Sequence, residues 1–329
     1  MRRVTLQDVA AHAGVSRAAA SMVVRNTGRL SDQTRERVRE SMDALGYVYH
    51  RGAANLRTQR SGLIGLLITD VSNPFFSAMT LGFEEAAAEG GYLTMVSDTF
   101  DDAGRQERLA QSMLEYPIDA LAYTPVVSSD LAAKLTSYPV PLLAVTRQSE
   151  GGAPYLGPDD YGGGVLAGEH LVDHHSYRRL VYLGGPQGAG PRDERMRGVR
   201  DAAARHPGAE LVAELSGITS VAGGMRLAQE LIESRIQFDA VVCHSDVVAY
   251  ALLHALRQIG REPIGVIGFD GLPESELFWP SVTSVAVGPQ LLGTRAAQWL
   301  LGALAGHPGA AFTAMPAHLE VRQSCGCAN

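Results

Sequence analysis

The chain has 329 residues, is 46% hydrophobic and 19% charged, and carries a net charge of −7. This is enough chain for two or three domains and excludes a disordered polypeptide. No apolar run reaches the ~18 residues of a membrane span, and Arg2 and Arg3 precede no apolar signal segment, so neither a membrane protein nor a secreted one is expected. The charge is unevenly distributed. Residues 1–60 hold 11 arginines and 5 acidic residues, a net of +6, while the remainder holds 17 basic and 30 acidic residues, a net of −13. A basic head on an acidic body suits a head that meets phosphate and a body that does not.

The head opens with TLQDVAAHAGVSRAAASMVVR, Thr5 to Arg25. Thr5 and Asp8 fit a capping box at the start of one short helix, and Leu6, Val9, Ala10 and Ala13 form its apolar stripe. Gly14 supplies a turn, and Ser16 caps a second helix from Arg17 to about Arg25. The small residues Ala10 and Ala20 let the two helices cross closely. This is the pattern of a helix-turn-helix, whose second helix enters the DNA major groove. A third helix is expected over Ser31 to Leu45 and ends at Gly46. The basic connector Tyr47 to Arg60 has room for one or two helical turns over Ala53 to Arg57, too few to stand alone.

From Gly62 the period changes. A continuous apolar run predicts a strand buried on both faces at Leu63 to Thr69, and further strands are expected at Tyr92 to Ser97, Ala120 to Thr124 and Pro141 to Val145. Helices are expected between them, at Pro74 to Glu89, Ala103 to Glu115 and near Asp130 to Ser137. A helix at Gly162 to Val172 begins a second run. Its strands are expected at Leu180 to Gly184, Glu210 to Leu215, Ala240 to Cys243 and Ile264 to Phe269, with helices near Asp193 to Ala204, Val221 to Ser234 and Asp246 to Ile259. A helix at Pro289 to Ala305 and a strand near Leu319 to Arg322 follow. Repeated β-α-β units make parallel sheets, and two such lobes form a cleft at the carboxyl ends of their strands.

The quoted head, together with SDQTRERVRESMDALGYV, AANLR and IGLLITDVSNPFF, resembles the lactose-repressor (LacI/GalR-type) family of bacterial transcription regulators. Weaker matches follow in order: GEHL, RRLVYLGG, ERMRG, SDVVAYALLHAL and VIGFDGLPESELFWPSVTSV. The resemblance implies a three-helix helix-turn-helix DNA-binding head (1–46) and a hinge (47–60). It further implies a periplasmic-binding-protein-like α/β core of two doubly wound parallel-sheet lobes, one from 61–158 and 288–315, the other from 159–287 and 316–329. By the same resemblance, Thr5, Ser16, Arg17, Ala18, Ser21, Met22, Arg25 and Asn26 would meet operator DNA. Arg17 would read a guanine edge, while Met22 stands where the family often has arginine. Asn55 would meet DNA from the hinge, and Leu56 would enter the minor groove as a wedge. A small-molecule effector, a sugar or sugar derivative with nucleosides as the alternative, would meet Asp70, Phe75, Phe76, Thr124, Arg147, Arg195, Ser245, Asp246 and Asp270. The resemblance also implies a cytoplasmic homodimer on a pseudo-palindromic operator.

Two other classes fit less well. A transporter's solute-binding protein would share the lobes but not the basic head. An enzyme would need a catalytic constellation, and none stands out. Gly162-Gly163-Gly164 and the glycines from Gly184 to Gly190 match neither a P-loop nor a dinucleotide fingerprint. No metal or cofactor is expected: His174 and His175 read as a solvated helix end. Cys243, Cys325 and Cys327 are too few and too badly spaced for structural zinc; the terminal C-x-C could bind a metal or oxidise, but reads first as a reduced tail.

Overall fold

The computed structural model describes residues 4–48, 60–129, 131–135, 138–261 and 264–327. The chain divides into two compact units, Met1–Ser61 and Gly62–Asn329. The hinge residues Asn55 and Leu56 fall outside the described residues.

The first unit contains α1 (Leu6–His12), α2 (Arg17–Val24) and α3 (Asp32–Leu45). Its termini are fixed by short-range chemistry legible in the sequence. The Thr5–Asp8 capping box forms in both directions, Ser16 accepts from the Ala19 amide, and Gly46 takes a left-handed conformation after α3. Val9, Ala10, Ala13, Ala20, Val23 and Val38 make a small core.

The second unit contains two six-stranded sheets. The chain runs β1 (Leu63–Ile68), α4 (Pro74–Glu89), β2 (Leu93–Asp98), α5 (Ala103–Glu115), β3 (Ala120–Tyr123), α6 (Leu131–Leu135), β4 (Leu142–Val145) and β5 (Tyr155–Pro158). It then enters the second lobe with α7 (Asp160–Glu169), a π-helical turn over His170–His174, β6 (Arg179–Leu183), α8 (Gly190–Ala204), β7 (Glu210–Leu215), α9 (Val221–Glu233), β8 (Ala240–Cys243) and α10 (Asp246–Gln258). Next come β9 (Gly265–Asp270), a 3-10 turn over Pro273–Glu276, β10 (Thr283–Ala286), α11 (Pro289–Leu304), β11 (Phe312–Met315) and β12 (His318–Glu320). The strand orders are β11-β5-β4-β3-β1-β2 and β12-β10-β9-β8-β6-β7. Among the described residues the named strands pair in parallel, except β10 with β12. The chain therefore passes between the lobes three times, after β5, β10 and β11.

The structure adds to the sequence-based expectation in two places. Strands β5, β10 and β11 had no sequence signal: each is four residues long and carries no extended apolar run. The helix expected at Gly162 to Val172 starts at Asp160 and changes to π geometry at His170.

Each lobe is closed by two helices that touch backbone to backbone. A Cβ on Gly293 of α11 would lie 1.8 Å from the Met79 carbonyl oxygen of α4, and one on Gly82 of α4 would lie 2.0 Å from that of Gln290. In the second lobe, a Cβ on Gly164 of α7 would lie 2.1 Å from the Arg195 carbonyl oxygen, and one on Gly198 of α8 would lie 2.3 Å from that of Tyr161. Neither crossing leaves room for a methyl group. Gly293→Ala is expected to destabilise the second unit by about 1–3 kcal/mol or more, measured as a lower urea midpoint. An unchanged midpoint would mean that the helices separate without cost.

Candidate functional site

The carboxyl ends of the strands of both lobes face a cleft of about 210 Å³. Asp70 follows β1, Thr146 and Arg147 follow β4, Ser245 follows β8, and Asp270 ends β9. Such a crevice is where open α/β sheets bind ligands.

The first lobe supplies an aromatic wall. Asn73 caps α4 by accepting from the Phe75 amide, and Pro74 preorganises the first turn. This presents Phe75 and Phe76 edge to face, with ring centroids 5.2 Å apart. Phe100 stands at the rim with the Arg105 guanidinium over its ring. Arg147 reaches across to Asp101 with two hydrogen bonds, of 2.5 and 3.2 Å. Phe100, Asp101 and Thr146 all have φ between +51° and +63°. That conformation is unfavourable for non-glycine residues and concentrates at binding sites.

The second lobe supplies buried charge. The Arg195 guanidinium donates to Asp160 at 2.7 Å and to the His244 carbonyl at 2.6 Å, and lies 3.5 Å from the centroid of the Phe269 ring. Burial, followed by the nearby Arg195, Arg147 and Arg192, holds His244 well below its ordinary pKa. The neutral ring pairs with the Tyr182 hydroxyl at 2.9 Å. Asp270 sits at the base of the cleft with φ +124°. Its Oδ2 is buried and has no hydrogen-bond partner among the described residues. A buried carboxylate oxygen in that state is costly unless a ligand or water satisfies it.

In the head, α2 turns Ala20 and Val23 into the core and leaves Arg17, Ala18, Met22 and Arg25 exposed, with Ser21 half-buried. These five share one helical face, turned away from the core formed by Ala20 and Val23. Thr5 and Ser16 act as helix caps, and Asn26 accepts from Arg35 at 3.3 Å.

Residues 5–49 match the bacterial regulatory proteins of the lacI family, and residues 64–308 match the periplasmic binding protein domain. The HTH-type transcriptional regulator CelR of Thermobifida fusca is 30% identical over 338 residues, covering 98% of each chain. The chain belongs to the lacI family of bacterial regulatory proteins. This lacI-family regulator is also 28% identical over 285 residues to the ribose operon repressor of Halalkalibacterium halodurans, covering 85% of this chain and 84% of that one. Among solved structures, the transcriptional regulator CelR in complex with cellobiose aligns with a TM-score of 0.73 at 28% identity, over 98% of this chain and 100% of its own.

Of the effector contacts expected from the sequence, the structure places Asp70, Phe75, Phe76, Arg147, Arg195, Ser245 and Asp270 on the cleft wall. Thr124 and Asp246 are not on it. Thr124 is fully buried beneath Thr146, which takes the wall position, and its carbonyl accepts from Gln106. Asp246 turns inward at the start of α10, where it accepts from the Leu272 amide and from the Ser275 and Ser284 hydroxyls. Burial pushes its pKa up to about 6, against these bonds, which favour the ionised form. It ties the helix, the 3-10 turn and β10 together, and Ser245 caps the same helix. Sequence reasoning missed Phe100, Asp101, Thr146 and His244, all of which lie in the turns after strands. The signal that could have found them is position at a strand's carboxyl end rather than residue type.

Burial, and then the neighbouring Asp246, push the Asp270 carboxyl well above the ordinary carboxylate range. A raised folded-state pKa contributes stability that is complete at low pH and is lost as pH rises through the folded value. Asp270→Asn cannot ionise and tolerates positive φ. It is expected to raise the Tm of the ligand-free protein at about pH 8 by more than at about pH 4. Thermal unfolding of both proteins at both pH values checks this, and equal shifts would remove the raised pKa.

Proposed function

We propose that this lacI-family regulator is a cytoplasmic homodimer that represses transcription from a pseudo-palindromic operator and responds to a neutral, sugar-like effector in the cleft. It has no catalytic role. The effector reading rests on the unpartnered Asp270 Oδ2 beside the Phe75–Phe76 wall. Both arginines of the wall are already neutralised, Arg147 by Asp101 and Arg195 by Asp160. A phosphate or carboxylate ligand would have to displace those partners. A polyol brings hydroxyl donors for Asp270 and Asp70 and an apolar ring face for the phenylalanines. Relatives named for ribose and a structural neighbour bound to cellobiose support a carbohydrate.

On the DNA side, Arg17, Ala18, Ser21, Met22 and Arg25 form the reading face, and Thr5, Ser16 and Asn26 approach phosphate. Asn55 meets DNA and Leu56 enters the minor groove, on the strength of the sequence alone. The described residues include no helix long and apolar enough to cross a membrane.

Selection of bound DNA from a random pool, at a stated near-physiological salt, is expected to recover a palindrome. The recovered site then serves as the probe for a panel of monosaccharides, disaccharides and nucleosides, read by thermal shift and by change in DNA affinity. A nucleoside as the sole active compound would overturn the sugar assignment, and sequence-blind binding would overturn the operator reading. Arg17→Ala is expected to cost about 1–3 kcal/mol of specific binding and to relax one base position. Unchanged affinity and preference in a titration would remove Arg17 as a reader.

A further inference from the structure

Outside the cleft, four metal-binding side chains converge from distant parts of the chain. His170 and His175 flank the π-helical turn after α7, and Cys325 and Cys327 lie in the turn after β12. One ligand atom from each lies within 4.8 Å of all the others. The His170 Nε2 is 3.3 Å from the Cys325 Sγ and 3.8 Å from the Cys327 Sγ, and the His175 Nε2 is 3.3 Å from the Cys327 Sγ. Zinc bonds of about 2.0–2.3 Å place the corners of a tetrahedron about 3.3–3.8 Å apart.

The backbone produces this arrangement by specific means. Residues five apart lie about 140° apart around an α-helix. The π turn closes i→i+5 and brings His170 and His175 to the same side, and such turns recur at functional sites. Between the two cysteines, Gly326 has φ +102°, and a Cβ there would lie 2.9 Å from the Tyr177 hydroxyl and 3.3 Å from the His175 Nδ1. The cysteine side is anchored. Ser324 bonds the backbone of Val266 through both its carbonyl and its hydroxyl, and the Thr283 hydroxyl donates to the Cys325 Sγ at 3.1 Å. An outer-shell donor of this kind orients a thiolate ligand.

We propose that His170, His175, Cys325 and Cys327 form a closed, four-coordinate site for a borderline-soft divalent cation, zinc(II) foremost. A tetrahedral N2S2 donor set selects zinc over magnesium or calcium. On binding, both thiols lose their protons, so the dication and two thiolates sum to zero charge. That neutrality suits a site in which His170 and Cys325 are buried. The H-x4-H spacing is that of known zinc ligands, whereas C-x-C is one residue shorter than usual. The ion would fasten the end of α7 to the chain segment that follows β12, within the second lobe.

The test uses the full chain, reduced, stripped with a chelator and titrated with cobalt(II) and then zinc(II). The expected result is about one equivalent of cobalt in a tetrahedral ligand field with thiolate-to-cobalt charge transfer, its displacement by zinc, and release of about two protons per zinc. Cys327→Ser and His175→Ala, at the two partly exposed positions, should each abolish the cobalt spectrum, whereas His174→Ala, outside the four, should keep it. Circular dichroism verifies that the variants remain folded. Octahedral cobalt, sub-stoichiometric binding by the wild-type protein, or an unchanged spectrum in folded Cys327→Ser and His175→Ala would overturn the site.

Discussion

The Arg195 guanidinium is the interaction on which the cleft depends. It is buried, permanently charged, and satisfied by Asp160, the His244 carbonyl and the face of Phe269. That arrangement exists only because α7 and α8 cross in contact, Gly164 against the Arg195 backbone and Gly198 against Tyr161. A side chain at either glycine would separate the helices and move Asp160 away from Arg195. Asp160 also begins α7 immediately after the first passage between the lobes. Arg195 therefore lines the cleft and, through Asp160, also holds a helix crossing next to the first passage between the lobes.

The electrostatics of the cleft follow from how its charges are paired. Arg147 and Arg195 are each matched by a carboxylate within the protein, so neither offers an unsatisfied positive charge. The unmet hydrogen-bonding capacity is at the buried Oδ2 of Asp270. Strained backbone on both sides, at Asp270 and at Phe100, Asp101 and Thr146, is held by the surrounding packing.

Asp246 and Asp270 show how similar residues acquire different roles. Both follow buried strands of one sheet, and in the sequence both read as cleft carboxylates. Asp246 meets three donors and becomes a structural tie, whereas Asp270 meets none at its Oδ2. The difference lies in the 3-10 turn and β10, which fold back over Asp246, and β10 was among the strands with no sequence signal. Likewise Gly162-Gly163-Gly164, glycine-rich without a nucleotide motif, proves to be a packing surface, with Gly163 against Phe269 and Gly164 against α8.

The sequence by itself determined the head, the order of most strands and helices, and seven residues of the cleft wall. Caps and turns such as Thr5–Asp8, Ser16 and Gly46 act over three or four residues, and doubly buried strands must be continuous apolar runs, so both are written locally. The tertiary structure alone decided which way Thr124 and Asp246 point, which glycines serve helix crossings, and that His170, His175, Cys325 and Cys327 meet. Each of these depends on groups that lie far apart in the chain, and His170 and His175 share a side only through a π turn that no residue pattern announces. Local periodicity cannot encode a contact whose partner is set by the closure of two sheets.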